Sequence, residues 1–209
     1  MKSTEKKPVI TRRNLCLGVG GTAVLVALGG VKLAGSEKLV RPPGGQDENR
    51  LLSACIRCEK CFEVCPHSVI APAHLEDGFV SMRTPVMDFD DAWCDWCAEA
   101  NDGNPLCVEC CPTEALLLPE GATEEGTILG KAVIIEDWCL AYRLTGCRFC
   151  YEACPFEAIE LDENAFPHIV PDKCNGCGAC ESVCVSQRDA SISSGATSRA
   201  VIVVPDTEA

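Results

Sequence analysis

Cys55-Ile56-Arg57-Cys58-Glu59-Lys60-Cys61-Phe62-Glu63-Val64-Cys65-Pro66 spaces four cysteines as C-x2-C-x2-C-x3-C-P. Three thiols two residues apart lie on one tight loop and can wrap one corner of an iron–sulfur cube, with backbone N–H groups pointing at the sulfurs. The fourth cysteine sits further on, where a short helix should begin. It leaves its own loop and ligates a neighbouring cluster. Pro66 then breaks the local hydrogen bonding and turns the chain away.

The pattern recurs three times, which makes the internal repeat the main organising feature. Unit two is Cys94, Cys97, Cys107 and Cys111 followed by Pro112, and unit three is Cys139, Cys147, Cys150 and Cys154 followed by Pro155. Each carries one internal insertion. Unit four, Cys174, Cys177, Cys180 and Cys184, keeps the spacing but has Val185 in place of Pro. Sixteen of the 18 cysteines are thereby candidate ligands of four [4Fe–4S] clusters. Zinc ribbons use C-x2-C pairs but do not call for a third Cys two residues on and a C-P. Closely spaced triplets are poorly placed to bridge one another as disulfides. No C-x-x-C-H occurs, so attached c-type haem is not supported.

Two cysteines remain. Cys16 lies in the N-terminal apolar run and reads as filler. Cys110 adjoins Cys111; the x3 spacing from Cys107 and the following Pro112 favour Cys111 as ligand. Trp93, Trp96, Trp138 and Phe149 stand beside cluster cysteines and read as apolar shielding rather than tunnelling aids. His67, His74 and His168 are isolated and read as structural or solvated. No Ser/His/Asp set, P-loop or G-x-G-x-x-G fingerprint is found, and nothing resembles a substrate pocket, so an electron carrier is expected rather than an enzyme.

Between the units, short apolar runs flank polar loops. Ala158–Leu161 with Pro167–Val170, Ala115–Leu118 with Lys131–Ile135, and Phe79–Met82 with Val86–Phe89 read as three hairpins. Small residues at Gly176, Gly178 and Ala179 are expected to let the backbone approach a cluster. The fold class is α+β: two ferredoxin-like dicluster modules of short helices and β-hairpins, preceded by a signal helix.

Aromatics are only 5% of the 209 residues, so apolar burial alone cannot be what holds the chain together. The formal charge is −13, and the first 35 residues hold six Lys/Arg and one Glu, leaving 12 basic and 30 acidic residues on the rest. That disfavours nucleic acid and suits a partner with a basic docking patch. Lys2, Lys6 and Lys7, then Thr11-Arg12-Arg13-Asn14-Leu15, precede a Gly-rich apolar run to Val31. Paired arginines before such a run read as a twin-arginine export signal, a route for already folded cargo. The expected layout is 1–35 signal or membrane anchor, 36–50 linker, 51–189 four-cluster domain, and 190–209 tail with a short strand.

Particular stretches resemble the NapG/MauM ferredoxin-type family. They include Arg41-Pro42-Pro43-Gly44, Ser53-Ala54-Cys55-Ile56-Arg57-Cys58, Asn104-Pro105-Leu106-Cys107-Val108, Gly146 to Pro155, and Cys174 to Val185. The long loop of unit two, Cys110 and the Ser/Gly-rich tail from Ser191 depart from the pattern. The resemblance implies an exported four-cluster protein at the periplasmic face of the membrane. Such a protein relays electrons from a membrane quinol-oxidising protein (NapH-like) to an exported redox enzyme, as in a nitrate-reductase-type pathway. Other readings are an iron–sulfur subunit of a molybdenum oxidoreductase and an assembly factor for an exported enzyme. Units two and three also look like DMSO-reductase-type cluster subunits, in which the pairing is nested. Carried over, Cys184 joins Cys55, Cys58 and Cys61, while Cys65 joins Cys174, Cys177 and Cys180. Cys154 then joins Cys94, Cys97 and Cys107, and Cys111 joins Cys139, Cys147 and Cys150. Nesting is the expectation; the competing arrangement pairs unit one with two and three with four.

Overall fold

Directly after Cys65, Cys111 and Cys154 the chain makes the same turn three times. Proline follows the cysteine, and the third residue on donates its amide to the cysteine carbonyl: Ser68 at 3.2 Å, Glu114 at 3.4 Å and Glu157 at 3.4 Å. Those three residues are all left-handed, with φ of 54°, 53° and 49°. Proline presets the first corner of such a turn. The C-P of the repeat therefore sends the chain from a ligand helix into a strand or an extended segment.

The computed structural model describes residues 38–186 and 196–206. The signal segment, Cys16 and the start of the tail lie outside the described residues. Two modules follow each other along the chain. The first contains α1 (Glu48–Ala54), α2 (Lys60–Glu63), β1 (Ile70–Pro72), β2 (Pro85–Met87) and α3 (Leu106–Glu109). The second contains β3 (Lys131–Ile134), two 3₁₀ turns (Glu136–Trp138 and Ala141–Arg143), α4 (Phe149–Ala153), β4 (Ile159–Leu161), β5 (Pro167–Ile169), α5 (Ala179–Ser182) and β6 (Val201–Val204). Among the described residues no helix is long and apolar enough to cross a membrane.

Among the described residues three sheets form, each an antiparallel pair: β1 with β2, β3 with β6, and β4 with β5. Only the last matches an expected hairpin. Phe79–Met82 forms turns, and the partner of β2 is Ile70–Pro72, with Ile70 opposite Met87. Lys131–Ile134 does not pair with Ala115–Leu118 either. It takes the distant apolar strand Val201–Val204, with Lys131 opposite Val204 and Ile134 opposite Val201. Four consecutive apolar residues cover β3 better than a return through the polar Glu120–Gly126 loop would. Leu117 instead donates its amide to Gly44 O at 3.0 Å.

That contact overturns the expected linker. Pro42 and Pro43 are among the most completely buried side chains, and Arg41 is only 3% exposed. The Pro-Pro-Gly-Gly run closes a turn, Gly45 N–H to Pro42 O at 2.9 Å, that lies against the segment following unit two. Arg41 pairs with Glu48 and donates to Thr84 Oγ1 at 2.9 Å and Pro85 O at 2.8 Å. It ties the entering chain, α1 and β2 together. Arg41→Ala strands the Glu48 carboxylate and two buried acceptors, and is expected to cost about 3–5 kcal/mol, read as a lowered denaturant midpoint.

Each module has its own apolar centre. Leu51, Val69, Ile70, Phe89, Ala115 and Leu116 gather around Cys107 in the first. Ala132, Ala158, Ile159 and Val201 gather around Cys150, Cys174 and Cys180 in the second. Cysteines occupy the places that large side chains fill elsewhere, as the low aromatic content requires.

Candidate iron–sulfur centres

Units one and four build their loops with the same backbone. Arg57 and Glu59 are left-handed at φ 55° and 65°, and Gly176 and Gly178 stand at the equivalent positions with φ 79° and 86°. Unit two repeats the first of these at Trp96, φ 57°. Left-handed residues between cysteines turn successive amides toward one side of the loop, giving a concave surface that favours negative charge. The long side chain of Arg57 then pins its loop from outside, donating to Met82 O at 2.9 Å and Val80 O at 3.0 Å. The glycines have a packing role that the spacing does not announce. A Cβ on Gly176 would meet the backbone of Gly130, and one on Gly178 would meet the Phe89 ring. Both also line the cavity bordered by Cys174, Cys177 and Cys180, with Ala179 beside them, so their small size serves packing between segments on one side and an open cavity on the other.

Three cavities are each bounded by four thiols. Cys55, Cys58, Cys61 and Cys111 line one of about 390 Å3, with its open mouth included. Cys65, Cys94, Cys97 and Cys107 line one of about 340 Å3, together with Trp96, His67 and Asp95. Cys154, Cys174, Cys177 and Cys180 line one of about 330 Å3. The remaining four also assemble: Cys139, Cys147 and Cys184 all act electrostatically on Cys150, and Cys184 packs in the same apolar set as Cys139.

The structure therefore does not have the nested pairing. Nesting requires Cys65 beside Cys174 and Cys154 beside Cys94. Instead Cys65 joins the Cys94 set and Cys111 the Cys55 set, while Cys154 joins the Cys174 set and Cys184 the Cys139 set. The cause is local. The proline turn and the hairpin after units one and three fold the chain straight back, so that the next unit packs on the preceding one. Helix α2 packs on α3, and α4 on α5.

Four thiols bordering one cavity are the donor set that a [4Fe–4S] cluster takes. Among the described residues, no three His, Cys, Asp or Glu converge closely enough to hold a single metal ion. All seventeen described cysteines are free thiols. Backbone amides are aimed at several sulfurs: Ala132 N–H at Cys174 Sγ, 3.4 Å, and Ala158 N–H at Cys154 Sγ, 3.3 Å. Burial is the first cause pushing Cys61, Cys94, Cys150 and Cys177 up to about 12; neighbouring thiols add to it. Thiols this reluctant to ionise together need positive charge in their midst, which iron would provide.

Cys111 is the exception. Burial raises it, but amides of Leu116, Thr113 and Ala115 outweigh that and leave it lowered. Cys110 is raised by burial and by Cys111, and its thiol donates to Cys107 O at 3.4 Å. It lies within electrostatic reach of Cys61, yet Cys111 is the one lining the cavity. Of the flanking aromatics, Trp96 is buried against the second set, whereas Phe149 is 52% exposed and shields little. His67 pairs with Asp95 at 3.0 Å and His168 with Asp162 at 3.5 Å. The Phe89, Arg41 and Arg199 contacts have no signal in the cysteine spacing.

Two modules of exchanged cysteine quartets define a ferredoxin-type iron–sulfur protein, an electron carrier rather than an enzyme. Residues 52–78 match the model of a 4Fe-4S binding domain, and residues 145–187 that of a 4Fe-4S dicluster domain. The chain is 33% identical over 208 residues to the ferredoxin-type protein NapG of Escherichia coli (strain K12), covering 90% of this chain and 87% of that one. It is 34% identical over 182 residues to the methylamine utilization ferredoxin-type protein MauM of Methylobacillus flagellatus, covering 79% of this chain and 74% of the relative. A MauM of Paracoccus denitrificans is 28% identical over 84% of both chains. The chain belongs to the NapG/MauM family of ferredoxin-type proteins.

Proposed function

We propose that this chain is a one-electron relay holding four [4Fe–4S] clusters, with all sixteen quartet cysteines as ligands. Cys55, Cys58, Cys61 and Cys111 hold the first cluster; Cys94, Cys97, Cys107 and Cys65 hold the second. Cys139, Cys147, Cys150 and Cys184 hold the third; Cys174, Cys177, Cys180 and Cys154 hold the fourth. The observation that carries this reading is the reciprocal exchange of fourth thiols within each module, the hallmark of two-cluster ferredoxins. Each bound cluster supplies one-electron chemistry, and no bond is made or broken on the protein. The chain's own part is to supply sixteen thiolates, to aim amides such as those of Ala132 and Ala158 at them, and to exclude water with Trp96 and its neighbours.

The paired Arg12-Arg13 and the apolar run behind them support export by the twin-arginine route to the periplasmic side of the membrane, in keeping with a cofactor inserted before transport. The family membership supports a membrane quinol-oxidising donor and an exported redox enzyme as acceptor. Pairing by neighbours weakens the alternative of a molybdenum-oxidoreductase subunit, because the nested arrangement is the feature that would tie the chain to that class.

Iron and acid-labile sulfide in anaerobically purified protein test the reading. About sixteen of each per chain are expected. About eight would leave two quartets without clusters and overturn the assignment.

A further inference from the structure

The two modules meet at particular cysteines. The Cys94 amide donates to Cys177 O at 2.9 Å, so a residue of the second quartet is hydrogen-bonded to a residue of the fourth. The Phe89 ring, five residues before Cys94, lies against Gly178, the residue after Cys177. Arg199 clamps the same seam, donating to Phe89 O at 3.1 Å and Glu181 O at 2.5 Å, with a further bond to Asp90 O. Nothing comparable joins the other two quartets across the seam: among the described residues, no backbone hydrogen bond links the loops of the first or third quartet to the opposite module. Within the modules, Cys61 acts electrostatically on Cys107, and Cys150 on Cys180, so the first set adjoins the second and the third adjoins the fourth.

We infer that the four centres lie in the spatial order first–second–fourth–third, with the Cys94–Cys177 hydrogen bond as the junction between modules and the first and third quartets at the two ends. The inference rests on the four-cluster reading. The order departs from that of the sequence because the second module is turned so that its last unit, not its first, faces unit two. Surface chemistry agrees. Cys58 of the first quartet is exposed, with Ile56 62% exposed beside it. The third quartet is flanked by Leu144 at 81% and Phe149 at 52% exposure. The thiols of the fourth quartet's own loop, Cys174, Cys177 and Cys180, are all buried. Electrons crossing the whole protein would then enter and leave beside Cys58 and Cys147, and would pass between modules at Cys94 and Cys177. Hydrogen-bonded backbone joining two cluster loops gives that crossing a continuous contact.

Two paired variants separate this order from its rivals. Cys58→Ala with Cys147→Ala removes a ligand from each end quartet and leaves the second and fourth whole; Cys94→Ala with Cys177→Ala does the reverse. Each should retain about eight irons. After chemical reduction, the first variant is expected to show an EPR spectrum broadened and split by magnetic interaction between its two clusters. The second should show two isolated, unsplit signals. A split spectrum from the Cys94/Cys177 variant, or unsplit signals from the Cys58/Cys147 variant with its two intact sites loaded, overturns the order. Should either variant fail to load, hydrogen exchange on the unaltered holoprotein decides. The Cys94 amide should exchange at least roughly tenfold more slowly than that of Cys58, and exchange as fast as Cys58 overturns the junction. A shortfall from about sixteen irons in the unaltered protein would instead count against the four-cluster reading itself.

Discussion

Cys65→Ala is expected to lower the iron content from about sixteen to about twelve per chain, and adding Cys94→Ala should lower it no further. Cys65 lines the same cavity as Cys94, Cys97 and Cys107, so both substitutions strike one site. Cys65→Ala combined with Cys174→Ala strikes two sites and should leave about eight irons. A nested protein gives the opposite result for both pairs: about eight for Cys65/Cys94 and about twelve for Cys65/Cys174. The crossover is what makes the measurement decisive, since no single variant distinguishes the arrangements. A site that loses one ligand can retain a three-iron cluster, which EPR of the oxidised protein identifies. The number of affected sites, one or two, then carries the same information. The effect on stability should also be local. Cys65 packs against the apolar set around Leu51 and Ile70, so the first module should lose protection from proteolysis before the second does.

The spacing that divides sixteen cysteines into four units is legible in the sequence because it is a covalent property of the chain. Pairing is not. Which loop a fourth cysteine reaches depends on the turn after it and on how the next unit packs, and the left-handed Ser68, Glu114 and Glu157 that shape those turns carry no compositional mark. Strand partners escape for a related reason. Lys131–Ile134 has an apolar edge that any apolar strand could cover, and the strand that does so, Val201–Val204, lies far along the chain, beyond any hairpin rule. The segment Arg41–Gly45 looks like a linker because Pro-Pro-Gly-Gly breaks helices wherever it occurs. Only its burial against Leu116 and Leu117 shows that the break is a structural corner rather than a tether. Glycine's small size is visible in any sequence, but at Gly176 that size matters through a neighbour the sequence does not name.

Gly176→Ala is expected to be strongly destabilising. Gly176 is left-handed at φ 79°, and a Cβ there would overlap both the N and the O of Gly130 and sit 2.6 Å from its carbonyl carbon. The obstacle is backbone, so no side chain can rotate aside. Nor is Gly130 free to retreat: on its other side, Cβ space is closed by Val204 O at 2.5 Å, and Leu129 N–H holds Asn175 O at 2.8 Å. Three layers of main chain, from the fourth-unit loop through Gly130 to β6, are stacked at the limit of contact. A left-handed alanine costs about 1–2 kcal/mol and forced overpacking a further 1–3 kcal/mol or so. Gly146 and Gly103 provide the control, with φ of 75° and 77° and nothing within 4 Å of where a methyl group would project. Alanine at either should incur only the backbone cost. Because cluster loss makes unfolding irreversible, the useful measure is the half-life of cluster absorbance at a fixed elevated temperature under anaerobic conditions. Gly176→Ala should shorten it by roughly tenfold or more relative to Gly146→Ala. Equal half-lives would mean that the Leu129–Gly130 segment yields to the methyl group, and that the stacking of the fourth-unit loop on β6 contributes nothing to holding that site closed.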